Sequence, residues 1–200
     1  MKKSLLTLLL AVAMVVPAFA AKGDKYINAK LGLGVNSNVS IDMGEISGAN
    51  DMFEGFDTDT PFMLGAEFFY ATSDNLSVGF GANYVFNTSA KTYSEYKGGT
   101  TNIYVAVKPE AKIESDLFTS LYLIGQIGLS FGRTDLPGEM SALDIDSGIY
   151  FGAGFGTTIK DAFFVELIFS SCNGTLKYGP YSIDIQYSIT SVNIGYKFAI

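Results

Sequence analysis

Beyond its first twenty residues, this chain alternates apolar and polar side chains at period two along nearly its whole length. Ile27, Ala29, Leu31, Leu33 and Val35 fall on one face, with Asn28, Lys30, Gly32 and Gly34 on the other, which is the signature of a strand with two unlike faces. The pattern returns with Phe62, Leu64, Ala66, Phe68 and Tyr70 opposite Met63, Gly65, Glu67, Phe69 and Ala71. It returns again with Leu76, Val78, Phe80, Ala82, Tyr84 and Phe86 opposite Ser77, Gly79, Gly81 and Asn83. A fourth strand sets Ile103, Val105, Val107, Ala111 and Ile113 against Asn102, Tyr104, Lys108, Glu110 and Lys112. Further strands are predicted over 117–131, 149–159 and 163–169, and the last places Val192, Ile194, Tyr196, Phe198 and Ile200 on even positions. The apolar faces carry no charge, whereas Lys30, Glu67, Lys108, Glu110, Lys112, Lys160, Glu166 and Lys197 lie on the opposite faces, so the two faces meet different surroundings.

The links between strands alternate in length. Those at 72–75, 114–116 and 160–162 are tight, and those at 36–61, 88–100, 132–147 and 173–182 are longer. Short turns on one rim, long loops on the other and an even strand count predict an all-β fold, an eight-stranded antiparallel up-and-down transmembrane β-barrel with both termini on the short-turn rim. Closure satisfies every backbone group without an edge, as lipid requires. A soluble barrel with an apolar cavity would show the same alternation. The glycines favour the membrane reading: Gly32, Gly34, Gly79, Gly81, Gly152, Gly154 and Gly156 make a poor coat against water but suit a crowded interior. Two irregularities stand out. Pro109 cannot donate to a ladder, so a bulge or an early end to pairing is expected there. The apolar set also shifts from odd (Ile183, Ile185, Tyr187, Ile189) to even (Val192 onward), which predicts a one-residue bulge near Thr190 and Ser191.

Composition narrows the function. The chain has no His and one Cys, which removes the commonest general base and metal ligand, internal disulfides and thiolate zinc sites. No cofactor and no enzymatic activity are expected. A net charge of −7 argues against nucleic acid as a partner. The first twenty residues read as an export signal: Lys2 and Lys3, an apolar stretch over 5–16, then Pro17-Ala18-Phe19-Ala20 with small residues where a signal peptidase cuts. The expected organisation is a signal peptide over 1–20 and one barrel domain over 21–200. Without Lys2 and Lys3, 11 basic side chains face 20 acidic ones, a net of −9.

Ser191-Val192-Asn193-Ile194-Gly195-Tyr196-Lys197-Phe198 resembles the closing strand of the small eight-stranded outer-membrane barrels related to the OmpA transmembrane domain, the Ail/opacity adhesins and OmpW. The resemblance covers the whole of 21–200. It implies the bacterial outer membrane as location, with outer-membrane lipid, lipopolysaccharide and the barrel-assembly machinery as partners, and a surface partner of unknown identity at the long loops. Here Phe198 is followed by Ala199 and Ile200, whereas the family usually ends on the aromatic. With no Trp, the aromatic girdles must come from Tyr and Phe, for which Tyr26, Phe62, Tyr70, Phe86, Phe131, Phe163, Tyr196 and Phe198 are the candidates.

The inward charges Lys30, Glu67, Lys108, Glu110 and Glu166 form a candidate lumen charge network, and four of them (Lys30, Glu67, Lys108 and Glu166) lie four or five residues in from the short-turn rim. They read either as an ion path or as a salt-bridged plug, and the plug is favoured because side chains just fill an eight-stranded lumen. Asp42, Glu45, Asp51, Glu54, Asp57 and Asp59 make the first long loop acidic, but their spacing is not that of an EF-hand. Met43, Met52, Phe53 and Phe56 offer that loop an apolar contact patch or local packing. Nothing beside Cys172 activates its thiol. Gly152-Ala153-Gly154-Phe155-Gly156 is rejected as a phosphate loop because it lies inside a strand pattern. The leading expectation is a non-catalytic surface barrel whose loops serve envelope integrity or adhesion; the alternative is a narrow OmpW-like channel for small or hydrophobic solutes.

Overall fold

The structure, a computed structural model, describes residues 23–42, 56–57, 60–86, 97–113, 115–135, 143–178 and 181–200. Its wall consists of β1 (Lys25–Asp42), β3 (Phe62–Ser73), β4 (Leu76–Phe86), β5 (Lys97–Lys112), β6 (Phe118–Asp135), β8 (Gly148–Ile159), β9 (Phe163–Tyr178) and β10 (Tyr181–Ala199). Two short strands, β2 (Phe56–Asp57) and β7 (Leu143–Asp146), pair with the wall toward the long-loop rim. Each wall strand pairs antiparallel with the next, and β10 pairs with both β9 and β1, so the sheet closes into an eight-stranded barrel. Its stagger can be read from the register. Partners run from Asn28 through Glu67, Gly81, Tyr104, Gly128, Tyr150, Cys172 and Tyr187, and return to β1 at Val39 rather than at Asn28. That offset is the tilt a closed barrel requires.

The predicted apolar face points outward. Leu31, Leu64, Phe80, Ile103, Leu123, Phe155 and Ile194 are all exposed, while Asn28, Lys30, Glu67, Lys108 and Glu166 are buried inside. An exposed belt this rich in Leu, Ile and Phe would be unfavourable against water and matches hydrocarbon. Of the girdle candidates, Phe62, Phe86, Phe131, Phe163, Tyr196 and Phe198 lie on the exposed surface. Phe62 and Phe86 pair toward one rim, and Phe163, Tyr196 and Phe198 stack toward the other. Two candidates depart from this. Tyr26 holds an inward even position on β1 and stacks on Phe69 at 5.4 Å, while Tyr70 is buried with Gly23 packed close to its ring.

Both predicted irregularities resolve differently. No bulge forms at Pro109: the ladder to β6 omits Lys108 and Pro109, yet the register is the same on both sides of the gap. No bulge forms at Thr190 or Ser191 either, because β10 keeps one register with β9 throughout. The bulge lies across the seam on β1, between Gly34 and Asn36. Tyr187 and Ile189 therefore face inward, where they pack with Met63 and Val85 in an apolar cluster. Strand β10 changes chemistry rather than register at that point. The predicted long link 173–182 is also mostly strand, since β9 and β10 pair out to Tyr178 and Tyr181. Its polar residues read as loop, but they continue the alternation.

A tight hairpin joins β8 to β9. Lys160 and Asp161 both take left-handed backbone angles, φ 50° and 59°, and Ala162 N donates to Ile159 O at 3.2 Å, the geometry of a type I′ turn. Lys is a poor occupant of that position. Placing Asn-Gly at 160–161 should raise folding stability by about 1 kcal/mol, as measured by urea unfolding in vesicles. An unchanged midpoint would show that the turn is not strained.

Candidate functional site

The lumen is built by inward positions on adjacent hydrogen-bonded rows. Glu67 on β3 shares a row with Asn28 on β1, and Glu166 on β9 shares one with Asn193 and Gly32. Lys30 stands on β1 between those rows, at the inward position between Asn28 and Gly32, so its long side chain reaches both carboxylates. Lys30 Nζ lies 2.5 Å from Glu67 Oε1 and 3.5 Å from Glu166 Oε2.

Glu67 is the hub. Its Oε1 also accepts hydrogen bonds from Tyr104 Oη at 2.8 Å and Gln126 Nε2 at 3.0 Å, and its Oε2 from Asn28 Nδ2 at 3.5 Å. Tyr150 Oη donates to Gln126 Oε1 at 2.8 Å, which extends the network to β8. Glu166 Oε1 accepts from Tyr122 Oη at 3.1 Å. Side chains from β1, β3, β5, β6, β8 and β9 thus meet in one layer. Glu67 and Glu166 are each 1 % exposed and Lys30 6 %, so this contact is dry, and a buried carboxylate of this kind is tolerable only with such donors around it. Glycine makes the room: a Cβ on Gly81 would come within 2.7 Å of Glu67 Cγ, and one on Gly156 within 2.7 Å of the Tyr122 ring. Above the layer remains a cavity of about 10 Å³, bordered by Lys30, Met63 and Asn193, room for about one water.

Of the five predicted network residues, the structure brings Lys30, Glu67 and Glu166 together and sets Lys108 and Glu110 apart. The row of Glu67 crosses β5 at Tyr104, which places Lys108 two inward positions nearer the short-turn rim. There its ammonium lies over aromatic faces, 4.0 Å from the Tyr122 centroid and 5.2 Å from that of Tyr26. Glu110 is half-buried and lines a cavity at that rim. Counting charges alone missed Asn28, Tyr104, Tyr122, Gln126 and Tyr150, the neutral donors that complete the layer. Their signal was present as polar and phenolic residues at inward positions of the same strands.

Other sequence candidates carry less. Glu45, Asp51, Glu54 and Asp59 of the acidic loop, Met43, Met52 and Phe53 beside them, and residues 1–20, expected to be a signal peptide, fall outside the described residues, as do the side chains of Asp42, Phe56 and Asp57. Cys172 is half-buried against Tyr187 and its neighbours. Gly152, Gly154 and Gly156 lie within β8. Among the described residues, no group of three or more His, Cys, Asp or Glu is placed to hold a metal ion.

Comparison with known proteins agrees with this architecture. Neisserial surface protein A shares the fold with a TM-score of 0.55 at 14% identity, over 88% of this chain and 100% of its own. Ail, the attachment invasion locus protein of Yersinia pestis, in its complex with the heparin analogue sucrose octasulfate, does so with a TM-score of 0.51 at 14% identity, over 88% of this chain and 99% of its own. No curated protein matches the chain. The outer membrane protein beta-barrel domain matches residues 6–198. With its lipid-facing belt, closed wall and this near-complete match, the chain belongs to the outer membrane β-barrel family and resides in the bacterial outer membrane.

Proposed function

We propose that this barrel is a non-catalytic surface scaffold, closed through its centre, that holds its long loops outside the cell for envelope integrity or attachment. The observation that carries this reading is the Glu67-centred layer, which fills the lumen from six strands and leaves space for about one water. A closed lumen leaves the outward loops as the working part. The likeness to Ail, by its name an attachment protein, suggests attachment as the form that display takes. The lumen charges act as a plug in this reading, and the last strand is what the barrel-assembly machinery engages.

A second reading, a narrow channel for small or hydrophobic solutes, is favoured by one observation. A cavity of about 520 Å³ is lined both by inward Gln126, Gly152 and Ser170 and by outward Phe151 and Phe169. Planar-bilayer recording separates the two. The scaffold predicts a flat current trace at all voltages and no uptake of apolar solutes into vesicles, whereas steady openings or solute uptake would transfer the case to the channel.

A further inference from the structure

Two cavities of about 520 Å³ each lie one above the other on the wall formed by β8, β9, β10 and β1. Three adjacent outward rows border them. The lowest runs through Ala153, Phe169, Thr190 and Asn36, and the next through Phe151, Ser171, Ser188 and Asn38. The third joins Asn173, Gln186 and Ser40. The lower cavity reaches into the apolar belt. Ala153 stands between Phe151 and Phe155 on its own strand and pairs with Phe169 and Gly125 on the neighbouring ones, which leaves a dent among three exposed rings. The upper cavity lies beyond the belt, and its outward polar side chains include Ser40, Asn173, Thr175, Asp184 and Gln186. Hydrogen bonds link them to one another and to the row below: Thr175 Oγ1 donates to Asp184 Oδ1 at 2.8 Å, and Gln186 Nε2 to Ser171 Oγ at 3.2 Å. Among the described residues, neither cavity has a Lys or Arg in its lining.

These features specify an occupant. Because the cavities span the end of the belt on the long-loop side, they fit a molecule of the outer leaflet, apolar below and polar above. Its lower part is an acyl chain, which gains ring contacts on both sides when it lies in the dent at Ala153. Its head is not a phosphate. Anionic headgroups are held by clustered Lys and Arg, whereas the one charge among the described lining residues is the carboxylate of Asp184, which has the opposite sign. Hydroxyl, amide and carboxylate groups instead offer donors and acceptors side by side, the complement of the hydroxyls of a sugar. A carboxylate that accepts from a hydroxyl forms one of the stronger hydrogen bonds. We propose that this slot binds a glycolipid, with an acyl chain over Ala153 among Phe151, Phe155 and Phe169 and uncharged sugar hydroxyls on Asn173, Asp184 and Gln186. The inference is independent of whether the loops serve attachment.

The test uses the whole barrel, nitrogen-15 labelled, in phosphatidylcholine nanodiscs. Digalactosyl diacylglycerol is added in rising mole fraction while the backbone amide signals of Ser171 and Asn173 are followed. Saturable shifts are expected, and phosphatidylglycerol at the same mole fractions should produce none. Gln186→Ala and Asp184→Ala should each weaken binding about two- to tenfold, the loss of one hydrogen bond. Ala153→Trp fills the dent and should weaken binding more, whereas Ala82→Trp, the same change at an exposed position on β4, should leave it unaltered. Heat-modifiable gel mobility verifies folding; if Ala153→Trp fails to assemble, the two polar variants carry the same test. Equal responses to the two lipids would reduce the slot to ordinary lipid contact and overturn the proposal, as would parental affinity in the folded polar variants. Methyl β-galactoside in solution should not shift these signals. Saturation by that sugar without response to the glycolipid would identify a soluble saccharide as the occupant and overturn the lipid.

Discussion

Replacing Glu67 by Gln is expected to lower the folding stability of the barrel by about 3–5 kcal/mol, the range found when one partner is removed from a buried ion pair. The substitution keeps shape and volume, so a loss of that size reports charge. Four donors point at this carboxylate, and Lys30 would be left with Glu166 alone, at 3.5 Å. The structure also orders the neighbours. Glu166→Gln should be milder, because Glu166 takes a single hydrogen bond, from Tyr122, and its contact with Lys30 is the longer one. Lys30→Met should be at least as harmful as Glu67→Gln, since it strands two buried carboxylates. Urea unfolding of the three variants and the parent in one lipid provides the comparison, and equal stability of Glu67→Gln and parent would show that the layer is hydrated rather than dry.

Arg at Leu123 should lower stability by about 2–4 kcal/mol, the penalty for a cation facing lipid near the bilayer midplane. Leu123 is 62 % exposed, pairs with Phe155 on the next strand, and lies in the middle of the apolar stretch of β6. Leu117, 47 % exposed at the turn before that strand, provides the contrast: Arg there should cost about 0–1 kcal/mol, because it reaches the headgroups. The pair is compared by the same unfolding measurement. If both substitutions cost the same, the exposed belt does not face hydrocarbon.

Much of this molecule was legible in its residues, and the parts that were not share a cause. Alternation assigns faces correctly wherever outward means apolar, as in Leu31, Leu64, Phe80 and Ile194, because lipid imposes one rule on the whole belt. It fails beyond the belt. Ile183 to Ile189 suggested a displaced outward set, yet Tyr187 and Ile189 point inward, since the outer part of the lumen is itself apolar. The same limit hid the bulge, which register places on β1 rather than on the strand whose pattern broke. In the lumen, formal charge identified Lys30, Glu67 and Glu166 but not the phenols and amides that satisfy them. Strand stagger decides which inward positions meet, and spacing within one strand does not contain it.

The extra residue on β1 marks a seam between two kinds of wall. Below it, outward side chains obey the bilayer. Beyond it, Asn38 and Ser40 on β1, Gln186 and Ser188 on β10 and Ser171 and Asn173 on β9 face outward, while Tyr187 and Ile189 pack inside, the arrangement of a sheet in water. Cohesion above the seam comes from its own apolar filling and from hydroxyl and amide contacts such as Ser188 to Ser171 at 3.3 Å and Gln186 to Ser171 at 3.2 Å. Along β1, β9 and β10 the wall therefore changes its surroundings partway up the barrel axis. On these three strands the upper storey follows the rule of soluble sheets, apolar inside and polar outside, and the storey beneath it follows the reverse rule that lipid imposes.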